Sequence, residues 1–152
     1  MEKFFDNEEF VNNNYSGQKV SHTEFDRCTF RACDFSVADL SDCDFINCRF
    51  ENCNFATAKL AGTGLKDVHF SGCKLVGLDF ESCSNFLFSV NIENCQLDYA
   101  SFYGKKLKKT AFMNCSLKEV DFSSTDLSGA SFDKSDLTLA IFVQCNLENT
   151  DF

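Results

Sequence analysis

An apolar residue recurs at every fifth position of this chain, a period that fits neither the 3.6 of a helix nor the simple alternation of a strand. One register runs unbroken from Phe5, Phe10, Tyr15 and Val20 to Phe70, Leu75 and Phe80. After a two-residue insertion, a second runs from Leu87, Ile92 and Leu97 to Leu147 and Phe152. All thirty of these centres are apolar, which chance does not produce. The position two before each centre is mostly Cys, Ala, Thr, Val or Ser, and all ten cysteines fall on it when Cys83 is placed in the first register. The other three positions carry Asp, Asn, Ser, Glu, Lys and Gly, which suit water and turns. Each pentad therefore offers the interior one small and one bulky side chain.

Sorting the centres by twenty yields four columns in which like stacks on like. Phe5, Phe25 and Phe45 begin the first, which continues as Leu. Phe10, Phe30, Phe50 and Phe70 begin a second, Tyr15, Phe35 and Phe55 a third, and the fourth runs from Val20, Leu40 and Leu60 to Phe80, Phe102, Phe122 and Phe142. Ladders of near-identical side chains pack well in a narrow interior, so a coil of twenty residues is expected. The pentads CDFSV, CDFIN, CNFAT, ADLSD and ASFDK resemble the pentapeptide repeat family, whose pattern is roughly A(D/N)LXX, and the resemblance covers nearly the whole chain. It implies an all-β fold: a right-handed quadrilateral β-solenoid (pentapeptide repeat β-helix) of about seven and a half coils, four pentads to the turn. Coils spaced like paired strands, ~4.8 Å apart, give a rod of roughly 36 Å. A single domain is expected over residues 1–152, with a register break at 81–86.

Composition narrows the function. A formal net charge of -9 argues against an ordinary nucleic-acid-binding surface, which needs excess Lys and Arg. No apolar run approaches a bilayer span, and the start MEKFFDNEEF is acidic where a secretory leader would be basic, so a cytoplasmic location is expected. Cysteines there are thiols. Cys33, Cys53, Cys73, Cys95 and Cys115 share one column, and Cys28 and Cys48 another, as a ladder of small buried residues would. Metal binding is the poorer reading, because neighbouring pentads lie on different sides of the square and no His accompanies them. Disulfides between coils would need a closer Cβ approach than ~4.8 Å stacking offers. Free thiols, no metal and no cofactor are expected. His22 and His69 fall on outward positions, and no catalytic motif occurs, so the expected protein is not an enzyme.

Two segments break the pattern. Around the insertion, Phe86 and Phe88 flank an inward Leu87 and are expected either to face outward as a partner contact or to seal a small loop. Lys105 occupies a position that is small or apolar almost everywhere else. Its corner is expected to open and bring the ammonium to water, making Lys105–Lys109 a solvated bulge or a contact for an acidic partner.

The resemblance implies one concrete mechanism. Family members of the quinolone-resistance type act as DNA mimics, an acidic rod occupying the DNA-binding saddle of DNA gyrase or topoisomerase IV. In this sequence the Val20 column carries Asp39, Asp42, Asp79, Glu81 and Asp121 against Lys19 and Lys59, a net of -3, and those five carboxylates are the expected phosphate-mimicking face. Nine charges along the rod are one per roughly 4 Å, against one per ~1.7 Å on duplex DNA, so mimicry is partial. The family's gyrase protectors also carry sizeable loops, where this chain has only the interruption near Cys83 to Phe86. The alternative is a structural or interaction scaffold for an unrelated protein partner. Phe142, Leu147 and Phe152 at the last coil are the expected homodimer interface, as the gyrase-binding relatives pair end to end.

Overall fold

The computed structural model describes residues 3–152, and in it the chain turns a corner in almost every pentad. The residue two after the centre is left-handed from Asn7 (φ 54°) to Asn149 (φ 57°). Asn and Gly adopt that conformation readily, but Val37 (φ 58°) and Leu139 (φ 59°) hold it at a steric cost. Many pentads close the corner with a hydrogen bond from the N–H three residues on to the centre carbonyl, as from Ala38 N to Phe35 O (3.0 Å) and Ala130 N to Leu127 O (2.9 Å). An Asp or Asn one before the centre then accepts from the N–H two residues later, as Asp39 does from Ser41 (3.0 Å) and Asp121 from Ser123 (2.8 Å).

Among the described residues the structure is strand and turn, with no helix. The strands, numbered along the chain, form two parallel sheets. The first joins β1 (Lys3–Asp6), β3 (Thr23–Asp26), β5 (Asp44–Ile46) and β7 (Gly64–Lys66). The second joins β2 (Glu9–Val11), β4 (Thr29–Arg31), β6 (Arg49–Glu51), β8 (Val68–Ser71), β9 (Val90–Glu93) and β10 (Phe112–Met113). These define flanks 1 and 2 of a four-sided β-solenoid. Flanks 3 and 4 are stitched by single parallel bridges such as Asn14–Asp34 and Lys19–Asp39. Register is twenty residues (Phe30 on Phe50) and becomes twenty-two across the insertion (Phe70 on Ile92).

The centres fill the interior. Phe30 and Phe50 stack at 4.8 Å, and Phe80 and Phe102 at 4.4 Å, while neighbouring columns meet edge to face, as Phe25 and Phe30 do at 5.2 Å. The small inward position has a second task that its apolar burial does not reveal. Its side chain leans toward the preceding coil and donates to a centre carbonyl there: Cys48 Sγ to Phe25 O (3.2 Å), Cys73 Sγ to Phe50 O (3.2 Å), Thr63 Oγ1 to Leu40 O (2.8 Å). All ten cysteines are free thiols, nine of them buried. In the first coil the same position is polar, with Lys3, Glu8, Asn13 and Gln18 all exposed, because nothing described lies below them to be packed against.

Candidate interaction surface

A filled interior leaves recognition to the flanks. The surface depressions are shallow; the one at the N-terminal end is floored by Phe5, Phe10 and Tyr15 and edged by Lys3 and Gln18. His22 and His69 are exposed as expected, His22 Nε2 lying 3.9 Å from Asp42.

Of the five carboxylates singled out in the sequence, Asp39, Asp79, Glu81 and Asp121 lie on flank 4 and Asp42 at its corner with flank 1. Asp42, Asp79 and Glu81 are exposed, and Asp39 and Asp121 half-buried. They are not a bare acidic stripe. Lys19, Asp39 and Lys59 occupy the same position in successive coils, so Asp39 stands between two cations. Asp39, Asp79 and Asp121 also each hold a turn N–H, at 3.0, 3.0 and 2.8 Å. The Ser41 hydrogen bonds lower the Asp39 pKa from the ordinary carboxylate value. Flank 4 ends differently from how it begins: Tyr103, Ile141 and Val143 stand exposed on its outer positions. Tyr99 (65% exposed) and Leu139 (72% exposed) join them at the corner with flank 3. Sequence reasoning passed over this apolar corner, although the signal was there in large apolar residues on positions the repeat reserves for polar ones.

At the insertion the structure corrects three expectations. The excursion is concentrated at Asn85–Phe88 rather than 81–86. Ser84 N still bonds Thr63 O (2.8 Å), and the ladder resumes where Ser89 N meets Leu65 O (2.9 Å). Leu87 is not inward; it is 65% exposed, at a left-handed corner (φ 54°), and the ring that turns toward the core is Phe88. Of the two expected contact rings, only Phe86 (67% exposed) faces out, with Lys66 Nζ 5.3 Å from its centroid. Lys105 does not reach water. It is 2% exposed, and its ammonium donates to Cys83 O (2.7 Å) and Asn85 Oδ1 (2.6 Å), 5.2 Å from the Phe88 ring centroid. On neighbouring flanks the equivalent carbonyl takes a backbone N–H, as Leu78 O does from Ser101 N (3.1 Å). The lysine substitutes for that donor where the chain swings away. Burial lowers its pKa from the ordinary lysine value.

Lys106, Lys108 and Lys109 are exposed on flank 1, and Glu24, Asp26 and Asp44 lie on the same flank nearer the N-terminus. At the last coil Phe142 is half-buried, while Leu147 and Phe152 are exposed.

No helix among the described residues is long and apolar enough to cross a membrane. The family model for a pentapeptide repeat region matches residues 43–122, and that for pentapeptide repeats (8 copies) matches residues 16–45 and 115–152. No curated protein matches. Solved structures similar to the chain include HetL, a pentapeptide repeat protein involved in heterocyst differentiation regulation from the cyanobacterium Nostoc sp. strain PCC 7120. It is 14% identical, with 97% of this chain and 86% of that one covered and a TM-score of 0.47. A second is full-length QnrB1, a plasmid-mediated fluoroquinolone resistance protein, 25% identical, with 100% and 82% covered and a TM-score of 0.36. A third is the pentapeptide repeat protein Rfr23 from the cyanobacterium Cyanothece 51142, 10% identical, with 99% and 88% covered and a TM-score of 0.35.

Proposed function

The chain belongs to the pentapeptide repeat family, and from that premise we propose that it is a non-enzymatic binding protein whose flank 4 docks on a protein partner. One observation carries this reading. The carboxylates of Asp39, Asp79, Glu81 and Asp121, with Asp42 at the corner, share a flank with the exposed Tyr103, Ile141 and Val143. Charge steers encounter and fixes register, and apolar area supplies affinity.

The specific form of the proposal names DNA gyrase or topoisomerase IV as the partner, in the cytoplasm. The acidic flank stands in for DNA phosphates, and quinolone protection follows. Its support is the net charge of -9 and the return of a carboxylate in every second coil of flank 4, at Asp39, Asp79 and Asp121. Lys19 and Lys59 make that line sparser than a duplex, so binding is weak and salt-sensitive. An unrelated protein partner is the second reading, favoured by the apolar corner of Tyr99 and Leu139, which a phosphate mimic does not require.

Gyrase supercoiling and quinolone-stabilised cleavage, measured while purified protein is titrated into the micromolar range, separate the two. The gyrase form expects a dose-dependent change that fades with salt. Combined Asp79→Lys, Glu81→Lys and Asp121→Lys should abolish it, and Leu139→Ser should leave it in place. A flat response contradicts the gyrase form and leaves the unrelated partner.

A further inference from the structure

Flank 1 is self-complementary, and we propose that it pairs with flank 1 of a second copy of this chain, side by side and antiparallel. The pairing places the Phe86–Leu87 knuckle and the lysines of one copy on the isoleucine and carboxylates of the other.

The argument is one of register. Charge along flank 1 is ordered. Acidic groups stand on β1, β3 and β5 (Asp6, Glu24, Asp26, Asp44), with Arg27 beside Asp6 and Asp26. Lys106, Lys108 and Lys109 stand together two coils beyond β7, with Asp126 next to Lys106 in the following coil. A two-fold axis running parallel to β7 reverses coil order and keeps each residue's place within its pentad. That operation sets Lys106, one before its centre Leu107, opposite Glu24, one before Phe25. It sets Lys108, one after, opposite Asp26, one after. The coil of the insertion then falls on β5. Phe86, which stands over Lys66 in the one-after column, meets Ile46 in the same column. At the axis itself β7 presents Gly64, which adds no side chain of its own beneath the Asp44 carboxylate and the Lys66 stem that cover it. The like charges this brings together are already engaged within each copy: Arg27 with Asp6 (2.7 Å) and Lys66 with Asp44 (3.2 Å).

The local chemistry supports a built contact. A large apolar pair, Phe86 and Leu87, is held out to water at a left-handed corner of the kind that almost every pentad turns. Here the buried Lys105 ammonium fixes Asn85, and Ser89 Oγ donates to Asp67 Oδ1 (3.2 Å). Two Phe86–Leu87 contacts and two sets of lysine–carboxylate pairs per dimer combine an apolar centre with a charged periphery, as protein interfaces do.

Sedimentation velocity of the full chain at low salt and tens of micromolar tests this. The wild-type protein is expected to sediment as a dimer that dissociates as salt rises. Lys106→Glu with Lys108→Glu, and separately Glu24→Lys with Asp26→Lys, each weaken self-association by about tenfold or more. An equimolar mixture of the two variants restores the dimer, because each reversed set then faces its opposite. Phe86→Ser with Leu87→Ser also gives monomer. A monomeric wild type overturns the proposal. So does a dimer unmoved by the charge reversals, as end-to-end pairing through Phe142, Leu147 and Phe152 would give, or a mixture that stays monomeric.

Discussion

The cysteine at the small inward position does two jobs, and the second distinguishes it from alanine. Its sulfur fills space beside the bulky centre and also donates to a carbonyl in the preceding coil, so Thr and Ser can replace it at equivalent places, as Thr63 does. Cys48→Ser is therefore expected to be tolerated, while Cys48→Ala costs about 1–2 kcal/mol in denaturant unfolding, from a lost donor and a small void. Burial also raises the thiol pKa from an ordinary value of 9.0, to about 11 at Cys43 and to about 12 at Cys48. A folded-state pKa above the unfolded one means that the native chain holds the proton more tightly. That stability is complete below pH 9 and is lost as pH climbs through about 11 to 12. Melting temperature should thus fall through that window, and less steeply in a Cys43→Ser, Cys48→Ser double variant; an unchanged slope would contradict the assignment. Corners give the opposite kind of test. Val37 is a β-branched residue at φ 58°, exposed on a turn, so Val37→Asn should stabilise by about 1 kcal/mol in the same unfolding assay.

At the scale of the element, the insertion shows what a five-residue pattern can and cannot disclose. The apolar centres, Leu87 excepted, and their sorting by twenty were legible, because an inward position leaves no choice of polarity. The alignment across the insertion was not. Counting residues puts Leu87 on the inward position, but an excursion of four residues is free to turn in whichever side chain fits, and it is the larger Phe88 ring that packs against the core. The fate of Lys105 was hidden for a similar reason. Its partners, Cys83 and Asn85, are some twenty residues away and become neighbours only when the coil closes. Lys105→Met keeps the aliphatic stem and removes the donor, so it should cost about 1–3 kcal/mol, with faster amide exchange confined to residues 84–89. Uniform destabilisation with no local change there would contradict the donor role.

For the whole molecule, the sequence disclosed the sides but not their character. Asp39, Asp79, Glu81 and Asp121 do share a flank, with Asp42 at its corner, yet their alternation with lysines and their service as turn acceptors are consequences of stacking that a charge count omits. At the other corner Leu139, Ile141 and Val143 are exposed in one coil and Tyr99 two coils before, with Glu119 standing between Tyr99 and Leu139. All of these surfaces depend on the winding, with a repeat of twenty residues on either side of the insertion and twenty-two across it. Nuclear Overhauser contacts between ring protons of selectively labelled phenylalanines measure that winding directly. The account predicts strong cross-peaks between Phe30 and Phe50 and between Phe80 and Phe102, whose ring centroids are 4.8 and 4.4 Å apart. Absence of both, with those rings instead in contact with water, would contradict it.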